Sequence, residues 1–176
     1  SRPNQVSFNG RIVLPPQRQA TVALTIGGVI KNTSLLPGQH VTKNSVIATL
    51  ENPEFISLQQ TYLDSHAQTE YLRMEYERQK NLSAEQAASQ KKFQQSKADY
   101  LSMKSRQDAA AAQLSLLGVN PETLLRDGIQ PLLEVKAPIS GYVVNVAMNM
   151  GKYINPGEAL CEVIDKSAPM LCLTTY

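Results

Sequence analysis

Few side chains in this sequence can do chemistry. In 176 residues without tryptophan the candidates are His40 and His66, Cys161 and Cys172, and the triplet Met148-Asn149-Met150. Two thioethers so placed suit a soft ion such as Cu(I) or Ag(I). Against that, residues two apart on a strand share one face, where apolar packing is the commoner use. Met150 also precedes Gly151, and no third sulfur or histidine lies nearby. No metal site is read here. The histidines are isolated and read as surface or turn residues. Both cysteines sit in apolar, strand-like runs and read as buried thiols packing as small hydrophobes rather than as a disulfide. A phosphate-cradling glycine loop, zinc-type cysteine spacing and a nucleophile elbow are all missing from the sequence. The reading is not an enzyme, with no cofactor.

Composition narrows the classes further. With 42% hydrophobic and 18% charged residues the chain can bury a core. Seventeen basic side chains against fifteen acidic leave a net charge of +2, too balanced for a dedicated nucleic-acid binder. No stretch reaches the roughly 18 apolar residues that cross a bilayer. Ser1-Arg2-Pro3-Asn4-Gln5 has no apolar run behind it, so neither a signal peptide nor a lipid-attachment cysteine is read. Leu171–Tyr176 alternates like a strand without a partner. The expectation is a piece of a longer protein.

These residues must be held by three kinds of segment. The opening stretch, to about Asn52, reads as β: Val6–Val13 and Ala20–Ile26 are rich in branched residues and separated by Pro15-Pro16. The closing stretch, from about Glu134, has the same texture. Between them, Glu54 to Leu117 contains neither Gly nor Pro and is dominated by good helix formers. Helix one is expected from about Glu54, after Pro53, to Lys80. Helix two is expected from about Ala84 to Leu117, stopped by Gly118. Ser83 with Gln86 fits a capping box between them. Leu58, Tyr62, Ser65, Thr69, Leu72 and Tyr76 form a polar coiled-coil seam on helix one. On helix two, two seven-residue stripes of mostly small residues, Ala84 through Ala112 and Ala88 through Leu116, are expected to face it. No third helix of similar length completes a bundle, so an antiparallel hairpin is expected.

The flanks carry a repeat. Residues 26–50 fall on residues 139–163 at a constant offset of 113. Gly28 then meets Gly141, Ile30 Val143, Asn32 Asn145 and Gly38 Gly151; Val41 meets Ile154, Ile47 Leu160 and Leu50 Val163. Glycine at both turn positions suits a tight reversal with positive φ. Each half of about 25 residues is too small to bury its own apolar face, so the two must share one core. The pattern resembles the lipoyl or biotinyl carrier domain, but where carriers present a modifiable lysine this chain reads Leu50-Glu51-Asn52-Pro53-Glu54.

A lipoyl-like body split by a helical hairpin resembles the barrel-sandwich hybrid of periplasmic adaptor subunits, the HlyD-type membrane fusion proteins. Lys136-Ala137-Pro138-Ile139-Ser140-Gly141-Tyr142-Val143 is similar to the Ala-Pro-x-x-Gly-x-Val opening of the second half in that family. Asn52-Pro53-Glu54-Phe55 with Gln59-Gln60-Thr61-Tyr62-Leu63 is similar to a Ser-Pro-Glu-Leu…Gln-x-Glu-Tyr-Leu stretch of its CusB-like heavy-metal branch, departing at Asn52 and Thr61. Leu114–Val119 and Val163–Ser167 also resemble that branch. In adaptors that dock an outer-membrane channel, the hairpin tip carries Arg, then Leu four residues on, then Ser seven further; Arg78, Leu82 and Ser89 keep both spacings. The residue chemistry suits the role: Arg78 can donate several N–H groups to partner carbonyls, Leu82 is an apolar knob, and Ser89 is small enough for close helix contact.

The resemblance implies an α+β fold, a split lipoyl-like barrel-sandwich hybrid interrupted by a long antiparallel α-helical hairpin. The sandwich would comprise 17–53 and 134–165, the hairpin 54–118 and a connector 119–133, with 1–16 and 166–176 as remnants of a β-barrel domain. It implies an adaptor between an inner-membrane RND transporter and a TolC-like outer-membrane channel, exporting metal cations or drugs. It would be periplasmic, anchored at the inner membrane and assembled as a ring of six. The alternatives are an adaptor of an ABC exporter or type I secretion system, a lipoyl or biotinyl carrier, and a plain coiled-coil module.

Overall fold

The offset of 113 becomes a set of matched strands. The structure is a computed structural model that describes residues 18–83 and 87–166. The strands expected at Val6–Val13 and Leu171–Tyr176, the β-barrel remnants they would belong to, Cys172 and the Gln86 end of the capping box lie outside the described residues. The first half supplies β1 (Arg18–Ala23), β2 (Gly28–Thr33), β3 (His40–Val41) and β4 (Val46–Glu51). The helices are α1 (Pro53–Leu82), α2 (Ala87–Leu116) and α3 (Pro121–Asp127). The second half supplies β5 (Leu133–Lys136), β6 (Gly141–Val144), β7 (Tyr153–Ile154) and β8 (Ala159–Asp165). The described residues fall into two compact units, 18–50 with 134–166, and Glu51–Leu133.

In the first unit the strands form two four-stranded sheets, ordered β1-β8-β6-β3 and β5-β4-β2-β7. Exchanging each strand for its partner 113 residues away turns one order into the other. The hydrogen bonds obey the same exchange. The Gly38 amide donates to the Val143 carbonyl at 2.6 Å and the Gly151 amide to that of Ile30 at 2.8 Å. The amides of Ile30 and Val143 donate to the carbonyls of Lys152 and Gln39, each at 2.9 Å. Antiparallel pairs His40↔Tyr142 and Val41↔Gly141 mirror Val29↔Tyr153 and Gly28↔Ile154. Each sheet therefore takes strands from both halves, and neither half can form its sheet alone.

The matched apolar positions are the core. Ile30, Val41, Ile47 and Leu50 and their counterparts Val143, Ile154, Leu160 and Val163 are all buried. At about 1.5–3 kcal/mol for each buried large aliphatic side chain, this shared interior outweighs any single turn. The two glycine pairs serve different needs. Gly38 and Gly151 both take φ +85, the left-handed turn conformation expected. Gly141 has no positive φ; a Cβ there would run into the Ile164 carbonyl of the neighbouring strand, so close backbone approach requires the glycine. The twofold breaks at Asn32 and Asn145. Asn145 takes φ +53 and ends β6 after four residues, whereas β2 runs for six.

That break corrects the reading of Met148 and Met150. They do not share a strand face: the chain leaves β6 at Val144, Met148 turns into the core and Met150 is exposed beside Gly151. Cys161 is buried and free, as the apolar run around it suggested. Burial, with a smaller contribution from Glu162, pushes its thiol up to about 11, far from the thiolate that reacts or binds metal. Among the described residues no helix is long and apolar enough to cross a membrane.

Candidate functional site

The second unit is built on two thirty-residue helices that start and stop where the sequence chemistry demands. Asn52 caps α1, its Oδ1 accepting from the amides of Glu54 at 2.6 Å and Phe55 at 3.3 Å, with Pro53 in the first turn. At the far end the Ser83 hydroxyl donates to the Lys80 carbonyl at 3.0 Å. The end of α2 is a Schellman turn on Gly118, φ +79, with Val119 N–H on Leu114 C=O and Gly118 N–H on Ser115 C=O. The connector contains a short helix that the sequence reading passed over, α3, although Asn120 and Pro121 open it and Gly128 closes it. Gln59, fully buried in α1, clamps the segment after α3: its Nε2 donates to the Gln130 carbonyl at 2.9 Å and its Oε1 accepts from the Gln130 amide at 2.7 Å.

The seam expected on α1 is the buried one, from Tyr62, Ser65 and Thr69 to half-buried Leu72 and Tyr76. The facing stripes expected on α2 are wrong. Lys91, Ala98, Ser105 and Ala112 are exposed, as are Gln95, Ser102, Ala109 and Leu116. The inward face instead runs Ser89, Phe93, Ser96, Tyr100, Met103, Gln107, Ala110, Leu114, Leu117, alternating four and three. Large apolar area outweighed small size in choosing the face. Tyr76 lies stacked between Phe93 and Tyr100, each ring centroid 5.5 Å away. His66 is corrected too: it is a half-buried seam residue, stacked on Tyr62, its Nδ1 3.1 Å from Gln107 Oε1.

The three residues singled out for docking all fall at one end of this hairpin. Arg78 and Leu82 lie one turn apart in the last five residues of α1, and Ser89 is the third residue of α2. Arg78 is exposed and paired with the Glu75 carboxylate at 2.9 Å, one turn back. The other oxygen of Glu75 accepts from Gln79 Nε2 at 3.0 Å, so the carboxylate that holds Arg78 is itself held. One ion pair leaves most of the guanidinium's five N–H donors pointing to solvent. The Leu82 side chain is 57% exposed, an apolar group left in water with no seam position to fill. Ser89 is half-buried and starts the α2 seam. The role of Glu75 and Gln79 escaped the sequence reading, although the i, i+3 and i, i+4 spacings were visible.

The sandwich unit has a rival concavity of about 520 Å³, lined by His40, Ser140, Gly141, Tyr142, Asp165 and Lys166. Its polar groups are already engaged. Ser140 Oγ accepts from the Lys43 amide at 2.8 Å, Asp165 faces Arg18 at 3.8 Å, and the Lys166 ammonium lies 5.7 Å from the Tyr142 ring centre. It offers packing rather than a convergent set of free donors.

Residues 18–165 match the family described as CzcB-like, barrel-sandwich hybrid domain. The chain belongs to that family. Among solved structures, this CzcB-like chain is similar to ZneB from Cupriavidus metallidurans, with 26% identity and a TM-score of 0.59 over 85% of this chain and 61% of that one. A candidate efflux transporter from Bacteroides eggerthii matches at 25% identity and TM-score 0.60, covering 86% of this chain and 40% of that one. A MacA–MexA chimera carrying the Pseudomonas aeruginosa MexA α-hairpin matches at 20% identity and TM-score 0.60, covering 84% and 48%; at that identity the likeness concerns the fold alone. The chain thus spans about three fifths of ZneB. No curated protein sequence matches it. The expected resemblance to membrane fusion adaptors, and the expected split sandwich with its helical hairpin, are borne out.

Proposed function

We propose that this chain is the sandwich-and-hairpin part of a periplasmic adaptor that joins an inner-membrane RND transporter to a TolC-like outer-membrane channel. In this reading the cargo is metal cations or drugs, with the CusB-like heavy-metal branch as its setting. The protein is anchored at the inner membrane and works as a ring of six copies, a structural conduit with no chemistry of its own. Arg78, Leu82 and Ser89 make the contact with the channel. The observation that supports this most is an exposed guanidinium and an exposed leucine at the closed end of a CzcB-like chain's hairpin.

Arg78→Asp in the natural protein tests it. Loss of a charged hydrogen-bond donor is worth about 1.5–3 kcal/mol, so cross-linking to the channel should fall roughly ten- to a hundredfold and export should fall with it. Helical circular dichroism should change little, because Arg78 is exposed and its single ion pair, to half-buried Glu75, contributes little to folding. Unchanged export and unchanged cross-linking would remove the tip from the docking surface.

A further inference from the structure

We infer that the surface this hairpin tip docks against is acidic protein, and that charge guides the encounter. The inference rests on the tip being the docking end. Residues 78–98 hold five basic side chains, Arg78, Lys80, Lys91, Lys92 and Lys97, against the single acid Glu85. Residues 54–77 hold the reverse, one basic side chain, Arg73, against five acids. The chain is nearly neutral as a whole, so this is segregation of charge and not a general excess.

The tip cations are available. Lys80, Lys91, Lys92 and Lys97 are all exposed, and none makes an ion pair among the described residues. Arg73, on the shaft, is by contrast gripped by Glu70 and Glu77 at 3.2 Å each. At about 1.5 Å per residue, the lysines on α2 lie within roughly 15 Å of its start. Lys91 and Lys92, four and five residues into the helix, fall within the screening length of about 8 Å at physiological salt and act at the tip with Arg78 and Lys80, whereas Lys97 contributes fully only at low salt. An acidic rim is attracted to the end of the hairpin, where Glu75 and Glu77 lie level with Lys92 and Lys97 but each already pairs with an arginine, leaving the lysines in excess. A lipid surface fits less well. Among the described residues Leu82 is the one large exposed apolar side chain between Glu75 and Tyr100, and burying one leucine is too little to hold a helix end in a bilayer.

The test uses the natural adaptor and the purified outer-membrane channel of its host, with association followed in real time. Between about 50 and about 500 mM NaCl, where the screening length shrinks severalfold, the association rate should fall about tenfold. The triple variant Lys91→Glu, Lys92→Glu, Lys97→Glu should lose about 30-fold in low-salt association rate, within the range for electrostatic steering. It should also lose most of the salt dependence while dissociation changes little. The lysine-to-arginine triple should behave as the parent, and a lysine-to-glutamine triple should fall between. If the glutamate triple keeps both rate and salt slope while Arg78→Asp still weakens binding, docking stands and the acidic partner is overturned. If neither variant changes binding, the docking reading itself fails. Salt-sensitive binding to phosphatidylglycerol vesicles that exceeds binding to the channel would also overturn the proposal.

Discussion

Truncating Ile47 or Leu160 to alanine is expected to destabilise the sandwich by about 3–4 kcal/mol each, within the range for buried aliphatic residues. The two are counterparts at offset 113, buried in β4 and β8, in different sheets. Because β8 lies between β1 and β6, and β4 between β5 and β2, a cavity at either position loosens a sheet made from both halves. The loss should therefore appear in a single transition wherever the probe sits. The chain has no tryptophan, so Val29→Trp and its counterpart Tyr142→Trp give clean reporters, one in each half. Denaturant midpoints should coincide in the parent and move together in both alanine variants. Midpoints that separate, with only one half responding, would mean two cores instead of one.

Replacing Gln59 by alanine is expected to destabilise the hairpin unit by about 3 kcal/mol, combining a lost buried side chain with two backbone groups deprived of partners. Gln59 is fully buried and holds both the amide and the carbonyl of Gln130. Leucine at this position tests the division. It restores volume but leaves Gln130 unsatisfied, so it should recover only part of the loss. Amide exchange at Gln130 should accelerate in both variants, while that of the α2 seam near Tyr100 should change little. Full recovery by leucine would show that packing, not the clamp, is what Gln59 supplies.

How far the molecule could be read from its residues depended on the kind of signal. The sandwich was legible because glycines and like apolar pairs recur at one offset, and only a shared core needs all of them. The α1 seam was legible because Tyr62, Ser65, Thr69 and Tyr76 keep heptad spacing. The α2 face was misread because its alanines and lysines also repeat every seven residues; on an exposed face they are simply good helix formers, while Phe93, Tyr100 and Leu114 carry the burial. Asn145 escaped because a left-handed asparagine looks like any other in a strand-rich run. Helix α3 was missed for its brevity, seven residues, despite complete start and stop signals. At the tip, Arg78, Leu82 and Ser89 were singled out by the resemblance of their spacing to the adaptor motif, together with their place at the expected helix ends. The partner of Arg78 was legible but overlooked: Glu75 stands three residues back on the same helix face, whereas the adjacent Glu77 faces away.

A photo-reactive amino acid placed at Leu82 of the natural protein interrogates the docking surface most directly, with Leu101 as its internal control. Leu101 is also exposed but lies midway along α2. In cells with an active pump, irradiation should join residue 82 to the outer-membrane channel and leave residue 101 without that adduct. Channel adducts from 101 and none from 82, with export intact, would contradict the account.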